Sequence, residues 1–546
     1  MSLQFFIADD GTTGQELWVT DGTTPGTFRL RDINPGLGSA NIGNLIQSNG
    51  IMYFTAYDGS AYHMWRSDGT TAGTYALTSS DNGDNAGNLI NVNGRLFFTG
   101  SDSVHGAGLF VTDGTTGGTQ FVQGVSSASQ FFAVGNSLFF TANDATNGTE
   151  LWVSDGTAAG THIVKDVLPG SSGSSYGNFT ALDGKLYFTA SNGTDGTEVW
   201  VSDGTAAGTF ELKDINNGPN GANASNFYAA NGHVYFTAND GAHGNQLWST
   251  DGTSGNTHVL TLGTGQSPLM RAGTQVIFNH ILYYVGTDPS GGSAIFTSDG
   301  TTLTKLNHLS SFSGQFYNLG ATLMFFGNDG THGSGLYTFD GANVSFVSSV
   351  SGGFIQPVLS GGKVFFVSHD STHGYELWVT DGTAAGTHIT ADINPGIYDA
   401  QINNISAVNG GVAFTAYRPD VGVELFFSDG TAGGTGLLSN VNPTGDHSPS
   451  LGFGSTVYQA GALGFFAAND GVNGNELWVT DGTVGGSHMV TDLQFGSNGS
   501  TPQNFFVAGN TIYFTADDGV NGRQLYTSDG TTVTQLTSSG VDQPYN

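Results

Sequence analysis

Cysteine is absent from the 546 residues, which excludes disulfides, Cys-ligated zinc and thiol nucleophiles. Positive charge is scarce: 12 Lys and Arg stand against 44 Asp and Glu, a formal net charge of -32. Neither a phosphate backbone nor an anionic headgroup finds enough cationic partners on such a chain, so nucleic acid and anionic membrane are excluded as partners. Long apolar runs are missing too. None approaches the roughly 18–20 residues that a membrane helix needs, so membrane insertion is not expected. No charged segment followed by an apolar one opens the chain, and no signal peptide is visible. Met1-Ser2-Leu3-Gln4 leads at once into a strand-like run, a start that suggests excision from a larger protein. Helical periodicity is absent, and no Gly-rich phosphate loop precedes a helix, so nucleotide binding has no support.

What is abundant is glycine, 86 residues, and one phrase. Its type is Glu150-Leu151-Trp152-Val153-Ser154-Asp155-Gly156-Thr157. The Asp-Gly pair returns twelve times, at Asp21, Asp68, Asp113, Asp155, Asp203, Asp251, Asp299, Asp340, Asp381, Asp429, Asp481 and Asp529. An aromatic stands three residues before each Asp, and all seven tryptophans occupy that position. The spacing from one pair to the next runs from 41 to 52 residues, the size of one blade of a β-propeller.

Residues 137–184 show the unit. Leu138 to Ala142 reads as a strand, Asn143 to Gly148 as a turn, and Glu150 to Val153 as a second strand. The Asp155-Gly156 turn follows, then a third strand from Thr161 to Val167, a Gly/Ser loop, and a fourth strand from Phe179 to Leu182. Asp183-Gly184 closes a tight hairpin into the next unit, because both residues tolerate positive φ. Strands such as Leu186-Tyr187-Phe188-Thr189-Ala190 are apolar on both faces, as a blade wedged between two neighbours requires. Units begin near residues 4, 51, 95, 137, 185, 233, 281, 322, 363, 411, 463 and 511. The expected fold is all-β, a propeller of twelve four-stranded blades forming one continuous array over 1–546. A single ring is favoured over two six-bladed rings, 1–280 and 281–546. The first blade lacks a leading strand, and the tail near Val541 to Tyr545 is expected to supply one and close the ring.

The phrase Glu-Leu-Trp-x-x-Asp-Gly-Thr is complete at Glu16–Thr23, Glu150–Thr157, Glu376–Thr383 and Glu476–Thr483. On these residues the chain resembles the bacterial ELWxxDGT-repeat proteins. The resemblance covers nearly the whole chain and implies a large secreted or cell-surface protein. It implies no defined activity and transfers no catalytic residue.

Each repeated Asp has a plain structural use: it accepts backbone N–H groups of its own turn while Gly supplies positive φ. Each repeated Trp suits packing between blades. A metal reading stands beside these. The pairs Asp10/Glu16, Asp144/Glu150, Asp370/Glu376 and Asp470/Glu476, with carbonyls of the intervening turn, offer calcium its hard oxygen ligands. The spacing matches neither an EF-hand loop nor the calcium-binding nonapeptide repeat. No other cofactor is indicated.

A catalytic site would stand out as a unique departure from the repeat. Two patches depart: Arg271, His280, Tyr283 and Tyr284 at the irregular midpoint, and Arg418-Pro419 with the longer segment around His447. Drift and loop insertion explain both more simply. His162, His258, His388 and His488 share one strand position and read as packing or rim residues. The expected function is a non-enzymatic, monomeric binding or structural scaffold outside the cytoplasm, with a glycan or protein ligand. The alternatives are a calcium-dependent lectin-like module and a polysaccharide-degrading enzyme with its site at the channel mouth.

Overall fold

A computed structural model describes residues 3–9, 12–23, 25–79, 84–262, 268–271, 274–287, 291–441, 456–483 and 485–537. The chain is an all-β propeller of twelve antiparallel sheets, ten of them four-stranded among the described residues. The one helical turn described is a 3-10 turn at Ser254–Asn256.

The fifth sheet shows the blade. A leading strand Gly177–Leu182, a second strand Lys185–Ser191, a third Thr197–Ser202 and a fourth Phe210–Lys213 pair in that order, all antiparallel. Leu182 faces Lys185 across Asp183 (φ 50°) and Gly184 (φ 74°), the two-residue turn that positive φ at both positions specifies. The expected unit starts therefore coincide with the second strands. Because neighbours are antiparallel, the turns alternate between two ends of the blade. One end carries the leading-strand hairpins and the Asp-Gly turns. The other, the loop end, carries the second-to-third turns and the connections from each fourth strand to the next leading strand.

Burial on both faces follows from the sequence pattern. Trp200 packs into Phe139, Leu151 and Val164 of the preceding blade. Tyr187, Val199 and Val201 turn the other way, onto Phe236 and Trp248 of the following blade. Successive strand residues point to opposite faces, so Val-Trp-Val serves two interfaces at once.

Tertiary contacts divide the chain into two compact units, Ala40–Ser310 and Met1–Ser39 together with Ser311–Asn546. Each contains six sheets. In the second unit the first sheet, Gln4–Asp9, Gln15–Thr20 and Phe28–Arg29, has three strands. It packs against the last sheet, with Phe6, Ala8 and Trp18 meeting Tyr513, Leu525 and Leu536. The tail expected to supply a fourth strand lies outside the described residues. The irregular midpoint is a broken leading strand: Leu269–Met270 and Val276–Phe278 both pair with Ile281–Thr287. Thr274 Oγ1 bridges the break, donating to Arg271 O and accepting from Val285 N–H.

Candidate functional site

The Asp-Gly turn is a closed hydrogen-bonded unit. Asp155 Oδ1 accepts Thr157 N–H at 2.8 Å and Thr157 Oγ1–H at 2.7 Å. Thr157 Oγ1 accepts Gly160 N–H at 3.0 Å, and Thr161 Oγ1 donates to Thr157 O at 2.7 Å. The Thr157 hydroxyl and then its N–H hold the Asp155 carboxyl below its usual range. The same bonds recur at Asp21, Asp68, Asp113, Asp203, Asp381 and Asp429. In the shorter turns of Asp299 and Asp529 two N–H groups converge on one oxygen, and both carboxyls drop to about 2. The later glycine matters as much as the first: a Cβ on Gly160 would stand 2.2 Å from the Asp155 carboxyl.

The acids of the second-to-third turns behave alike. Asp144 accepts Thr146 N–H, Asn147 N–H and the Asn147 amide at 2.6–2.9 Å. Asp370 accepts Thr372 and His373 N–H, with His373 Nδ1 2.8 Å from its other oxygen. Asp470 accepts Val472 and Asn473 N–H and the Asn473 amide. The bond from Asn147 N–H leads in holding the Asp144 carboxyl low; at Asp370 and Asp470 burial opposes the shift and the turn bonds outweigh it. Asp10 lies outside the described residues.

The glutamates paired with these acids go elsewhere. Glu16, Glu150, Glu376 and Glu476 are fully buried on the third strand and reach into the connection that follows the fourth strand. Glu16 accepts Ile33 and Asn34 N–H, and Glu376 accepts Asn394 N–H. Glu150 Oε2 accepts Val167 N–H at 2.9 Å and the Tyr176 hydroxyl at 2.5 Å. Glu476 accepts Leu493, Gln494 and Ser500 N–H and the Ser500 hydroxyl. Glu198, which the expected set omits, accepts Ile215 and Asn216 N–H in the same manner. Burial raises these carboxyls, to about 7 at Glu16 and Glu198 and about 8 at Glu376. In the three pairs whose Asp is described, Asp144/Glu150, Asp370/Glu376 and Asp470/Glu476, the two acids share no bonding partner: the Asp closes its own turn and the Glu clamps a loop. Among the described residues no three His, Asp or Glu side chains converge as a metal-binding group.

The departures from the repeat do not converge either. His280 sits exposed in a hairpin turn at φ 65°, and Arg271 lies exposed beside the broken strand. Tyr283 and Tyr284 are buried on opposite faces of one strand. Arg418 closes a turn on Asp420 at 2.7 Å and lies over the Phe426 ring. His447 falls outside the described residues. His258 and His388 place Nε2 3.2 Å and 3.0 Å from carbonyls of the next blade, Thr301 O and Gly430 O, a rim role.

Two features of the loop end escape a reading of the repeat. Among the described residues, every large apolar side chain more than half exposed lies there. Leu37, Ile397, Tyr398 and Phe495 stand on connections, Val472 and Val520 on turns, all in one unit, with Val104 in the other. They are 65–90% exposed. The second feature is a cavity of about 350 Å³ between the third and fourth blades. It opens where Gly108 replaces the buried Glu, and Asn85, Thr99, Ser101 and Ser127 line it.

The match to one family model agrees with the architecture. A family model described as PQQ_2, "Outer membrane protein assembly factor BamB", matches residues 140–385, less than half of the chain. No curated protein matches. Among solved structures, the tricorn protease is 13% identical, with 89% of this chain and 49% of that chain covered and a TM-score of 0.24. The β-propeller domain of the Trilobed protease from Pyrococcus furiosus is 14% identical, with coverage of 65% and 97% and a TM-score of 0.22. An oligogalacturonate lyase in complex with manganese is 15% identical, with coverage of 60% and 94% and a TM-score of 0.25. This chain spans about half the length of the tricorn protease chain, and none of these likenesses bears on activity. No helix among the described residues is long and apolar enough to cross a membrane.

Proposed function

We propose that this propeller is a non-catalytic scaffold that binds a protein through its loop end, outside the cytoplasm. The observation that carries this reading is the exposed apolar set Leu37, Ile397, Tyr398, Val472, Phe495 and Val520. Water-facing Leu, Ile, Val and Phe side chains at the same end of the first, ninth, eleventh and twelfth blades mark this end as an interaction surface. Aliphatic side chains suit a protein surface, and the aromatic pair supplies anchors of the kind that dominate interfaces. The repeated acids support the reading by their engagement: the turn aspartates accept N–H groups of their own turns, and the buried glutamates accept N–H groups of the connections that follow the fourth strands. Export fits the Lys-poor, cysteine-free composition. Purified cell-surface proteins and polysaccharides, immobilised as a panel, test it. A protein retained by the wild type and released by L37S/I397S/Y398S/F495S supports it; retention that ignores these substitutions sinks it.

A second reading, glycan binding, has its own observation. The cavity beside Gly108 is about 350 Å³ and lined by hydroxyls and an amide. Its ligand would be a single sugar unit, and G108E would abolish polysaccharide retention without touching protein retention.

A further inference from the structure

The apolar side chains of the loop end are not demanded by the fold. After Asp32, Asp166 and Asp392 the chain makes the same turn, at Pro35-Gly36, Pro169-Gly170 and Pro395-Gly396, with the glycine at φ 95°, 112° and 90°. The residue after that glycine is Leu37, Ser171 or Ile397. All three are exposed, so a serine serves the turn as well as a leucine does. Leu37 and Ile397 belong to the unit formed by Met1–Ser39 and Ser311–Asn546, and Ser171 to the other. A turn that folds with either residue leaves the choice between them to what the surface meets.

The loops that carry the apolar residues carry acids as well. Leu37 follows Asp32, Ile397 and Tyr398 lie between Asp392 and Asp399, Phe495 follows Asp492, and Val520 follows Asp517 and Asp518. Asp392 and Asp399 are exposed and the others half-buried. Asp399 Oδ1 accepts Tyr375 N–H at 3.0 Å and Asp392 Oδ2 accepts Gly396 N–H at 3.2 Å, bonds that fix the loop and leave its negative charge in place. The basic residues of this unit are occupied elsewhere. Lys363 donates to Asp429 O at the Asp-Gly end, Arg418 pairs with Asp420, and Arg523 donates to Thr501 O and Thr515 O. Arg29 and Arg31 are engaged within the chain too.

We propose that the loop end of this unit docks a basic protein segment, one whose aliphatic or aromatic side chains are flanked by Lys and Arg. The inference rests on the protein-binding reading of the loop end and adds the charge of the partner. Apolar contacts make the centre of an interface and polar groups its rim; opposite charges across the rim speed the encounter, and like charges reject a wrong partner. A second copy of this chain would set the same acids against these, so it does not fit the surface. A net charge of -32 draws cations everywhere on the chain. What marks this place is that negative charge and exposed apolar side chains coincide, as they do not at Ser171.

Synthetic peptides serve as probes: Lys alternating with Leu and Phe, Glu alternating with the same apolar residues, and Lys alternating with Ser. Titrated against the full-length protein by fluorescence anisotropy, the first is expected to bind, the second not to bind, and the third to bind at least tenfold more weakly than the first. D392N/D399N/D492N is expected to weaken the first peptide about tenfold. D166N/D195N/D214N makes the same charge change in the other unit and is expected to leave it unchanged. Asn440 stands in another blade where Asp166, Asp214 and Asp492 stand, so the fold accepts the amide there, and Tm checks each variant. Failure of the first peptide to bind, equal binding of the Lys and Glu peptides, or equal loss in the two Asn variants overturns the proposal. Self-association of the wild type that L37S/I397S/Y398S/F495S abolishes, read by sedimentation, makes a second copy the occupant and overturns it too. A panel protein released by the apolar variant but indifferent to D392N/D399N/D492N sinks the charge inference alone and leaves the loop-end reading standing.

Discussion

At the scale of single residues, the repeated acids divide by the charge state they prefer. Turn aspartates accept two or more donors and are held ionised, so the stability they give is present above the usual carboxyl range and is lost as pH falls through their lowered values. The buried glutamates go the other way. Burial raises Glu16 and Glu198 to about 7 and Glu376 to about 8, from 4.5. Their contribution is full below pH 4.5 and fades as pH rises through 7 to 8. With chelator present, Tm is expected to decline over that upper window, and E376Q to flatten the decline; a Tm that climbs from pH 5 to 8 in both proteins contradicts this. Gly160 makes a second residue-scale point. With its backbone φ outside the left-handed region, its need is purely for space beside Asp155. Gly160→Ala is expected to cost about 1–3 kcal/mol in denaturant unfolding. In the double variant D155A/G160A most of that penalty disappears, because the clashing carboxyl is gone.

At the scale of strands and turns, much was legible and the reasons are physical. Asp183-Gly184 announced its hairpin because few residues accept two consecutive positive φ angles. Strand positions such as Tyr187 and Phe188 announced burial on both faces by being apolar in succession. What stayed hidden was the bulge in most of the leading strands. Asn178, Asn226, Asn404 and Asn504 adopt φ of 53–57°, and Asn178 Nδ2 donates to Ala224 O near the next leading strand. An asparagine in a polar stretch carries no periodic signal. The loop contact of the glutamates was hidden for a related reason: Asp144 and Glu150 are near in sequence, whereas Val167, whose N–H Glu150 accepts, lies seventeen residues on and is brought there only by the fold. Trp152 tests the packing account. Trp152→Ala is expected to cost ~3–5 kcal/mol, while Trp152→Phe, the residue type at Phe110, Phe296 and Phe426, costs much less; equal losses in the two variants contradict packing as its role.

At the scale of the molecule, scarce positive charge is spent between blades. Arg66, Arg95, Lys165, Lys213 and Lys363 each donate to a carbonyl in the Asp-Gly turn region of the following blade, at 2.8–3.3 Å. The Asp-Gly end is thereby knitted to itself, and the loop end carries the exposed variation. The central claim is that the repeat encodes the scaffold and the non-repeated loop-end side chains encode recognition. The most direct measurement is the affinity of two variants for one protein ligand from the panel, with Tm recorded alongside. L37S/I397S/Y398S/F495S is expected to bind at least tenfold more weakly, about 1.4 kcal/mol, at an unchanged Tm. D155A/D203A/D381A/D481A is expected to lower Tm and keep its affinity. The opposite assignment, recognition lost with the Asp-Gly turns and kept without the apolar loop residues, would contradict the account.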